Sequence, residues 1–341
     1  MKKKWNSVLF IVLIVVTFLT IYTKIDIKLF ENALLNANIK FLVLGLICMF
    51  VYWGIEAGLI DMLIKKVSPK TKFWTSIKTT VIGQYYSSIT PFASGGQPAQ
   101  LYEMSKDNIP GGKATAVLVS KFLLFQVSVT LYSLMLIIVR MKHLLLGLKS
   151  ASGFVFTGLF INTIGLSAII LLAFKPNLLK RVANFIIYKL EKFKLIKNAE
   201  LKIKKFDHYV SEYLVSINYM KQDVISTIYM FLLTIIQLTA FFSITYFIYK
   251  ALGLSGTSII DIVSLQALLY MAVSFIPVPG TVGASEVGFS LLLGSIFSAN
   301  LVAVALILWR GISYYFGLIF CGIFTFLIYS FDKSRNEKIA S

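Results

Sequence analysis

Four ionisable side chains stand deep inside apolar runs of this sequence: Glu56, Lys121, Glu286 and Arg310. Glu103 and Asp261 lie near the ends of two broken apolar segments. A charge at the centre of a bilayer costs on the order of 2.5–3.5 kcal/mol even on a lenient insertion scale, so each such group needs a partner or a task. Glu286 follows Pro277, Pro279, Gly280 and Gly283, which puts it in the first turn of a helix restarting after the break. There it can neutralise a basic partner, meet a cationic head group, or simply complement the helix dipole. Arg310 lies too deep in the last apolar run to snorkel. It can hold a lipid phosphate through two parallel N–H bonds or pair with Glu286, and a purely structural pair is the competing reading, because burial alone demands a partner. Lys121 stands about as far beyond Pro91 as Arg310 does beyond Pro277, which makes the two counterparts; its candidate acids are Glu103 and Glu56. Glu56 falls toward the end of its run, within reach of interfacial water.

The breaks themselves are Ser88–Pro98 and Ser274–Glu286. In the first, Gly95 and Gly96 free the backbone, Gln97 can cap, and Pro98 suits a first helical position. A helix beginning there points unpaired N–H groups outward, an anion site that needs no charged side chain. Pro and Gly interruptions at matched places in two halves of an apolar chain mark a transport site, since irregular backbone survives at membrane depth only where it lines a cavity or is buried in protein. Gln84, Tyr85, Tyr86, Gln126, Gln237 and Gln266 read as helix-to-helix hydrogen bonds or interfacial aromatics before they read as ligands.

The elements that must position these residues follow from composition. The chain has 341 residues, 57% of them hydrophobic and 14% charged, with a mean hydropathy of +0.81: an all-α, polytopic membrane protein. The net charge of +18 gathers at the ends of apolar runs and in one central loop, as cytoplasmic membrane flanks do, and this argues against a nucleic-acid partner. Cys48 and Cys321 are isolated in apolar runs, and His143 and His208 have no metal-ligand spacing around them; no metal site and no cofactor are implied. No phosphate-binding glycine motif occurs, which argues against ATP hydrolysis. Lys2–Lys4 followed by an apolar run, with no small-residue cleavage site after it, reads as an uncleaved first helix.

Runs long enough to cross, at about 20 residues each, occupy 6–23, 41–63, 114–139, 154–174, 224–249 and 301–329. The broken regions 77–105 and 259–298 are decided by charge. Residues 65–78 carry five lysines and no acid, and 175–223 carry eleven Lys or Arg against five Asp or Glu, so both should be cytoplasmic. That holds only if each broken region is a re-entrant hairpin. The expected architecture is therefore about six spanning helices and two re-entrant hairpins in one integral membrane domain, 1–341. Its halves, roughly 1–140 and 150–330, form an inverted-topology repeat, and both termini are cytoplasmic. Arg140–Lys149 is discordant, being basic yet assigned outside. Val182, Phe185, Ile186 and Lys189 suit an amphipathic helix on anionic lipid at the cytoplasmic face.

Gly95-Gly96-Gln97-Pro98-Ala99-Gln100-Leu101-Tyr102 and Pro277 to Glu286, with Arg310 beyond, resemble the membrane domain of the lysylphosphatidylglycerol synthase and flippase family, the multiple peptide resistance factors. The resemblance spans about Lys40 to Tyr329. It implies a plasma-membrane lipid flippase that moves a modified, aminoacylated or glycosylated, lipid to the outer leaflet, a role tied to cationic peptide resistance. It implies the flippase half without the soluble transferase, hence a transporter rather than an enzyme, with a separate lipid synthase and a second copy of the chain as possible partners. Many relatives carry an acid at the position of Gln97 and a base at that of Gln100, so the first hairpin is expected to lack an ion pair of its own. The substrate-binding set is then Arg310, Glu286, Lys121, Glu103, Gln97, Gly95, Gly96, Pro277, Pro279, Gly280 and Gly283. A membrane-embedded lipid transferase, such as a phosphatidylglycerol lysyltransferase, built on Glu286 and Glu103 is the alternative, and a non-catalytic partner of a synthase is another.

Overall fold

The computed structural model describes residues 27–147, 152–192, 198–274, 276–297 and 300–340; the expected first helix, 6–23, lies outside them. Among the described residues the chain is helical with no strands. After α1 (Ile27–Leu35) come α2 (Ile39–Val67), α3 (Phe73–Ile89), α4 (Gly96–Lys106), α5 (Gly111–Gly147) and α6 (Ser152–Phe174). Then follow α7 (Pro176–Lys192), α8 (Ala199–Gln222), α9 (Val224–Ala251), α10 (Ile259–Val273), α11 (Ala284–Leu293), α12 (Val302–Arg310) and α13 (Phe316–Ala340). A π-turn, Gly311–Tyr315, joins α12 to α13 without breaking the rod. Among the described residues four stretches are long and apolar enough to cross a membrane: Ile39–Val67, Gly111–Val139, Val224–Ala251 and Val302–Asp332.

The long helices start where side chains can satisfy their first N–H groups. Asn38 accepts from Lys40 N at 3.1 Å to open α2, and Asp223 accepts from Ser226 N at 3.0 Å to open α9. That backbone donor, followed by Lys66 at 3.1 Å, holds the Asp223 carboxyl below its ordinary value. α9 lies along α2, and their contact seeds a core of Met49, Trp53, Ile244 and Ile248, continued by Phe289, Leu293 and Trp309 from α11 and α12. Elsewhere small residues let helices approach closely: a Cβ on Gly158 of α6 would strike the backbone of Ala272, and Asn162, one turn on, donates to Met271 O at 2.8 Å. Within the central loop 175–223 the described residues form α7 and α8. α7 leaves Leu178, Val182, Phe185 and Ile186 exposed on one face, which is the expected amphipathic stripe.

The two broken segments share one backbone geometry. Thr90 and Val278 are both extended, with φ/ψ of −120°/144° and −120°/137°. Pro91 and Pro279 each then open a single 3₁₀ turn. Phe92 and Gly280 follow at 55°/18° and 59°/14°, and Ala93 and Thr281 at φ 53° and 52°. α4 and α11 restart in the same register, at Gly96 and Ala284. This is a repeat in structure that the residue identities barely carry. In the first segment the cap differs from the sequence-based expectation. Thr90 Oγ1 accepts from Gly95 N at 2.8 Å while donating to Tyr86 O at 2.7 Å. Gln97 therefore has no capping task and is exposed, and Pro98 occupies the third helical position rather than the first.

α4 folds back on α3. Gln100 Nε2 donates to Thr79 O at 3.3 Å, and the arms touch at glycines: a Cβ on Gly83 would strike the Gln100 side chain. A Cβ on Gly96 would strike Ser87 Oγ and lie 2.9 Å from Gly83 O. Because that second atom is backbone, the arms must separate to admit a methyl group. Gly96→Ala should accordingly destabilise the protein by about 1–3 kcal/mol. Gly111→Ala, which meets open space, should leave stability unchanged or raise it by up to about 1 kcal/mol. Thermal unfolding of the two purified variants in detergent checks the difference.

Candidate functional site

Glu286 occupies the third position of α11 and accepts from Gly283 N at 2.5 Å. Gly283, at φ +88°, can reach this conformation because it has no Cβ. The other carboxylate oxygen of Glu286 accepts from Arg310 Nε at 2.6 Å. Both residues are buried, Arg310 5% and Glu286 9% exposed. The sequence-based pairing is thus present, and Glu286 joins it to the helix start. The guanidinium also reaches Thr281 O at 3.4 Å and lies 5.0 and 5.4 Å from the ring centres of Trp309 and Tyr314. These described partners take up two of its five N–H donors.

Tyr314, one helical turn past Arg310 and inside the π-turn, ties the halves together. Its hydroxyl donates to Ser88 O at 3.0 Å, and its ring fills the space that a Cβ on Gly280 would need. Between the two turns lies a cavity of about 260 Å³. Ser88 and Phe92 line it from the first turn, Gly280 and Thr281 from the second, and Arg310 and Tyr314 from the last helix. Further hydroxyl and amide groups come from Ser274, Ser285, Ser313 and Gln266. Among its described lining residues there is one cation and no carboxylate. Pro277, Pro279 and Gly283 shape the second turn without lining the cavity. Gly95 and Gly96 do the same for the first, and Gln97 points to the exterior.

Two predicted site residues stand elsewhere. Lys121 pairs with Glu56, whose other oxygen accepts from Gln237 Nε2 at 2.9 Å. Glu56 is 1% exposed and enclosed by protein, so this triad of α5, α2 and α9 is a junction of long helices. Of the two acids open to Lys121, the structure thus pairs it with Glu56 rather than Glu103, and its acid comes from a helix ahead of the hairpin, unlike that of Arg310. Glu103, fully buried, meets Lys78 at 2.8 Å and Lys106 at 3.5 Å; Lys78 also meets Asp107 at 3.1 Å. The first hairpin thus has its own ion pair, contrary to the expectation from Gln97 and Gln100, and supplies it from Lys78 of α3 and Glu103 of α4. Glu286 and Glu103 are bound to different partners and form no carboxylate pair. Gln126 and Gln237 make the helix-to-helix bonds expected of them, Gln126 to Asn162 Oδ1 at 3.4 Å. Gln266 likewise accepts from Thr245 Oγ1 at 3.1 Å.

The sequence reading missed Tyr314, whose signal was its spacing of one turn from Arg310. It also missed Lys78, which was counted only as part of a basic flank. Removing one partner of a buried ion pair strands the other's charge, at about 3–5 kcal/mol. Arg310→Met and Glu286→Gln should each lower stability on that scale. The double variant should cost clearly less than their sum, as thermal unfolding of the three variants would read out; additive costs would show that the pair is not coupled.

Comparison with known proteins agrees with this arrangement. A "UPF0104 membrane protein" of Archaeoglobus fulgidus is 23% identical over 314 residues, covering 89% of this chain and 90% of that protein. The family model described as the lysylphosphatidylglycerol synthase TM region matches residues 6–321. With four membrane-length apolar helices and a match over nearly its whole length, this chain belongs to the lysylphosphatidylglycerol synthase TM region family and is a multi-pass membrane protein.

Proposed function

We propose that the protein is a lipid flippase that passes the head group of a modified membrane lipid through the cavity between the two turns while the acyl chains stay in the bilayer. The observation that carries this reading is the cavity's lining, drawn from both broken segments and from Arg310, with one cation among hydroxyl and amide groups. Such a set suits an anionic, hydroxyl-rich head group, a phosphorylated glycerol or sugar, through guanidinium–phosphate and hydroxyl bonds. It suits a lysyl head group less, because Glu286 already spends both oxygens on Arg310 and Gly283. A volume near 260 Å³ accommodates a head group and not a whole lipid.

In this reading the α3–α4 and α10–α11 hairpins re-enter the membrane from opposite faces as the cores of inverted halves, 1–140 and 150–330. About six crossings, cytoplasmic termini and a plasma-membrane location complete the topology. The matched backbone of the two turns supports it, as does the meeting of the turns at one cavity. Alternating access by one half rocking on the other would carry the head group across. A lipid transferase built on paired carboxylates is disfavoured, since Glu103 and Glu286 are each held by a separate base.

In cells lacking the protein, outer-leaflet labelling of one modified lipid should fall while its total amount holds. A chain carrying Arg310→Lys, which keeps the charge but not the planar fork, should restore labelling at a rate about tenfold or more below the unaltered chain. Unchanged outer-leaflet exposure of every lipid would sink the proposal, and loss of the lipid's total amount would turn it toward synthesis.

A further inference from the structure

At the open end of the first hairpin, away from the two turns, α3 begins, α4 ends and α13 passes by. They enclose a cavity of about 940 Å³, within the size range of small-molecule sites. Lys70, Lys72, Lys78 and Lys106 line it, against Asp107 and Asp332. The acids are already engaged. Asp107 accepts from Thr75 Oγ1 at 2.5 Å and from Lys78 at 3.1 Å, and Asp332 meets Lys106 at 3.1 Å. Lys70 and Lys72 have no ion-pair partner among the described residues, and with Lys78 and Lys106 set against Asp107, Asp332 and the buried Glu103 the cluster keeps a net positive charge that lies on these two lysines. Its rim is aromatic and unusually open: Trp74 is 55% exposed, Tyr102 59% and Phe331 72%. Aromatic rings beside lysines are the chemistry of the membrane–water boundary, where rings sit at head-group level and cations attract anionic lipid.

We infer that this cavity is a docking site for the head group of an anionic phospholipid, its phosphate held by Lys70 and Lys72 and its glycerol and upper acyl chains resting on Trp74, Tyr102 and Phe331. The aromatic rim decides for a lipid over a free phosphate, which would find no use for exposed apolar rings. Lys78 couples the site to the hairpin interior, since the lysine that lines the cavity also neutralises the buried Glu103. A bound lipid would therefore rest on the same network that closes α4 against α3. The inference stands on this cavity alone and does not depend on what passes between the turns.

Native mass spectrometry of the full chain in detergent, titrated with dioleoyl phosphatidylglycerol or dioleoyl phosphatidylcholine at low salt, tests it. Phosphatidylglycerol should bind at least tenfold more tightly. Lys70→Gln/Lys72→Gln should weaken it by about fivefold per lysine, whereas Lys202→Gln/Lys204→Gln on the exposed face of α8 should not. The two cavity lysines are exposed, so an unchanged thermal midpoint confirms that the variant is folded. Equal losses in both variants, or equal binding of the two lipids, would overturn the site. Displacement of phosphatidylglycerol by an equimolar amount of glycerol 3-phosphate would overturn its assignment to a lipid.

Discussion

A guanidinium buried in an apolar helix cannot stand alone, and the arrangement around the two turns follows from the need to pair Arg310. Its desolvation penalty is several kcal/mol unless the partner's geometry is good and the remaining donors find acceptors. Glu286 supplies the geometry because it is itself held twice, by Arg310 and by the N–H of Gly283 at the start of α11. The positive end of that helix dipole further favours an acid in its first turn. One consequence is that α12 is pinned to the second turn. The next helical turn then brings Tyr314 against Gly280 and onto Ser88 O, so the pairing of one cation fixes how the two broken segments meet.

The ion pairs differ in what they join, and the difference bears on which parts can move. Lys78–Glu103 closes within one hairpin and survives any displacement of that hairpin as a unit. Lys121–Glu56, with Gln237, locks three long helices into a frame. Arg310–Glu286 binds the second hairpin to the last helix. Across the turns themselves the described side-chain link is neutral, the single hydrogen bond from Tyr314 to Ser88 O. A neutral hydrogen bond contributes about 0.5–1.5 kcal/mol net, far less than the cost of opening a buried ion pair. The halves are also joined away from the turns, by Gln237 to Glu56, Lys66 to Asp223 and Lys106 to Asp332, so rocking of one half against the other would have to rearrange these links as well as the Tyr314 bond.

The buried charges and the two breaks were legible because membrane burial makes both conspicuous: an Arg in an apolar run and a Pro–Gly interruption each demand a tertiary answer. Arg310 with Glu286 could be paired from the sequence because Glu286 falls at a helix start announced by its prolines and glycines. Lys121 could not be assigned between Glu56 and Glu103, since that choice depends on which long helices pack together. Lys78 was hidden for a different reason. In a run of five lysines the inward-facing one has no mark of its own, and only the folding of α4 onto α3 exposes its role. The likeness of the two turns was illegible in the residue identities, because backbone dihedrals conserve a turn that Pro-Phe-Ala and Pro-Gly-Thr spell differently.

That difference of spelling is where the two halves part. At the matched left-handed position the second turn uses Gly280, which takes φ +59° without strain and yields its side-chain space to the Tyr314 ring. The next residue is left-handed in both turns, Ala93 at φ 53° and Thr281 at 52°, but at the matched position the first turn holds Phe92 at 55°, a conformation unfavourable for any residue with a Cβ and most of all for a bulky one. Each such residue costs on the order of 1–3 kcal/mol and persists only where its surroundings impose it. The Phe92 ring is 61% exposed and lines the cavity, so the strain is not offset by burial in a core. A glycine would make the same turn at lower cost, and the strain instead sets an aromatic ring in the lining of the cavity that Arg310 also lines. The two turns thus contribute unlike parts to one cavity: beside the second stands a cation held by its acid, and from the first comes an aromatic ring on a strained backbone.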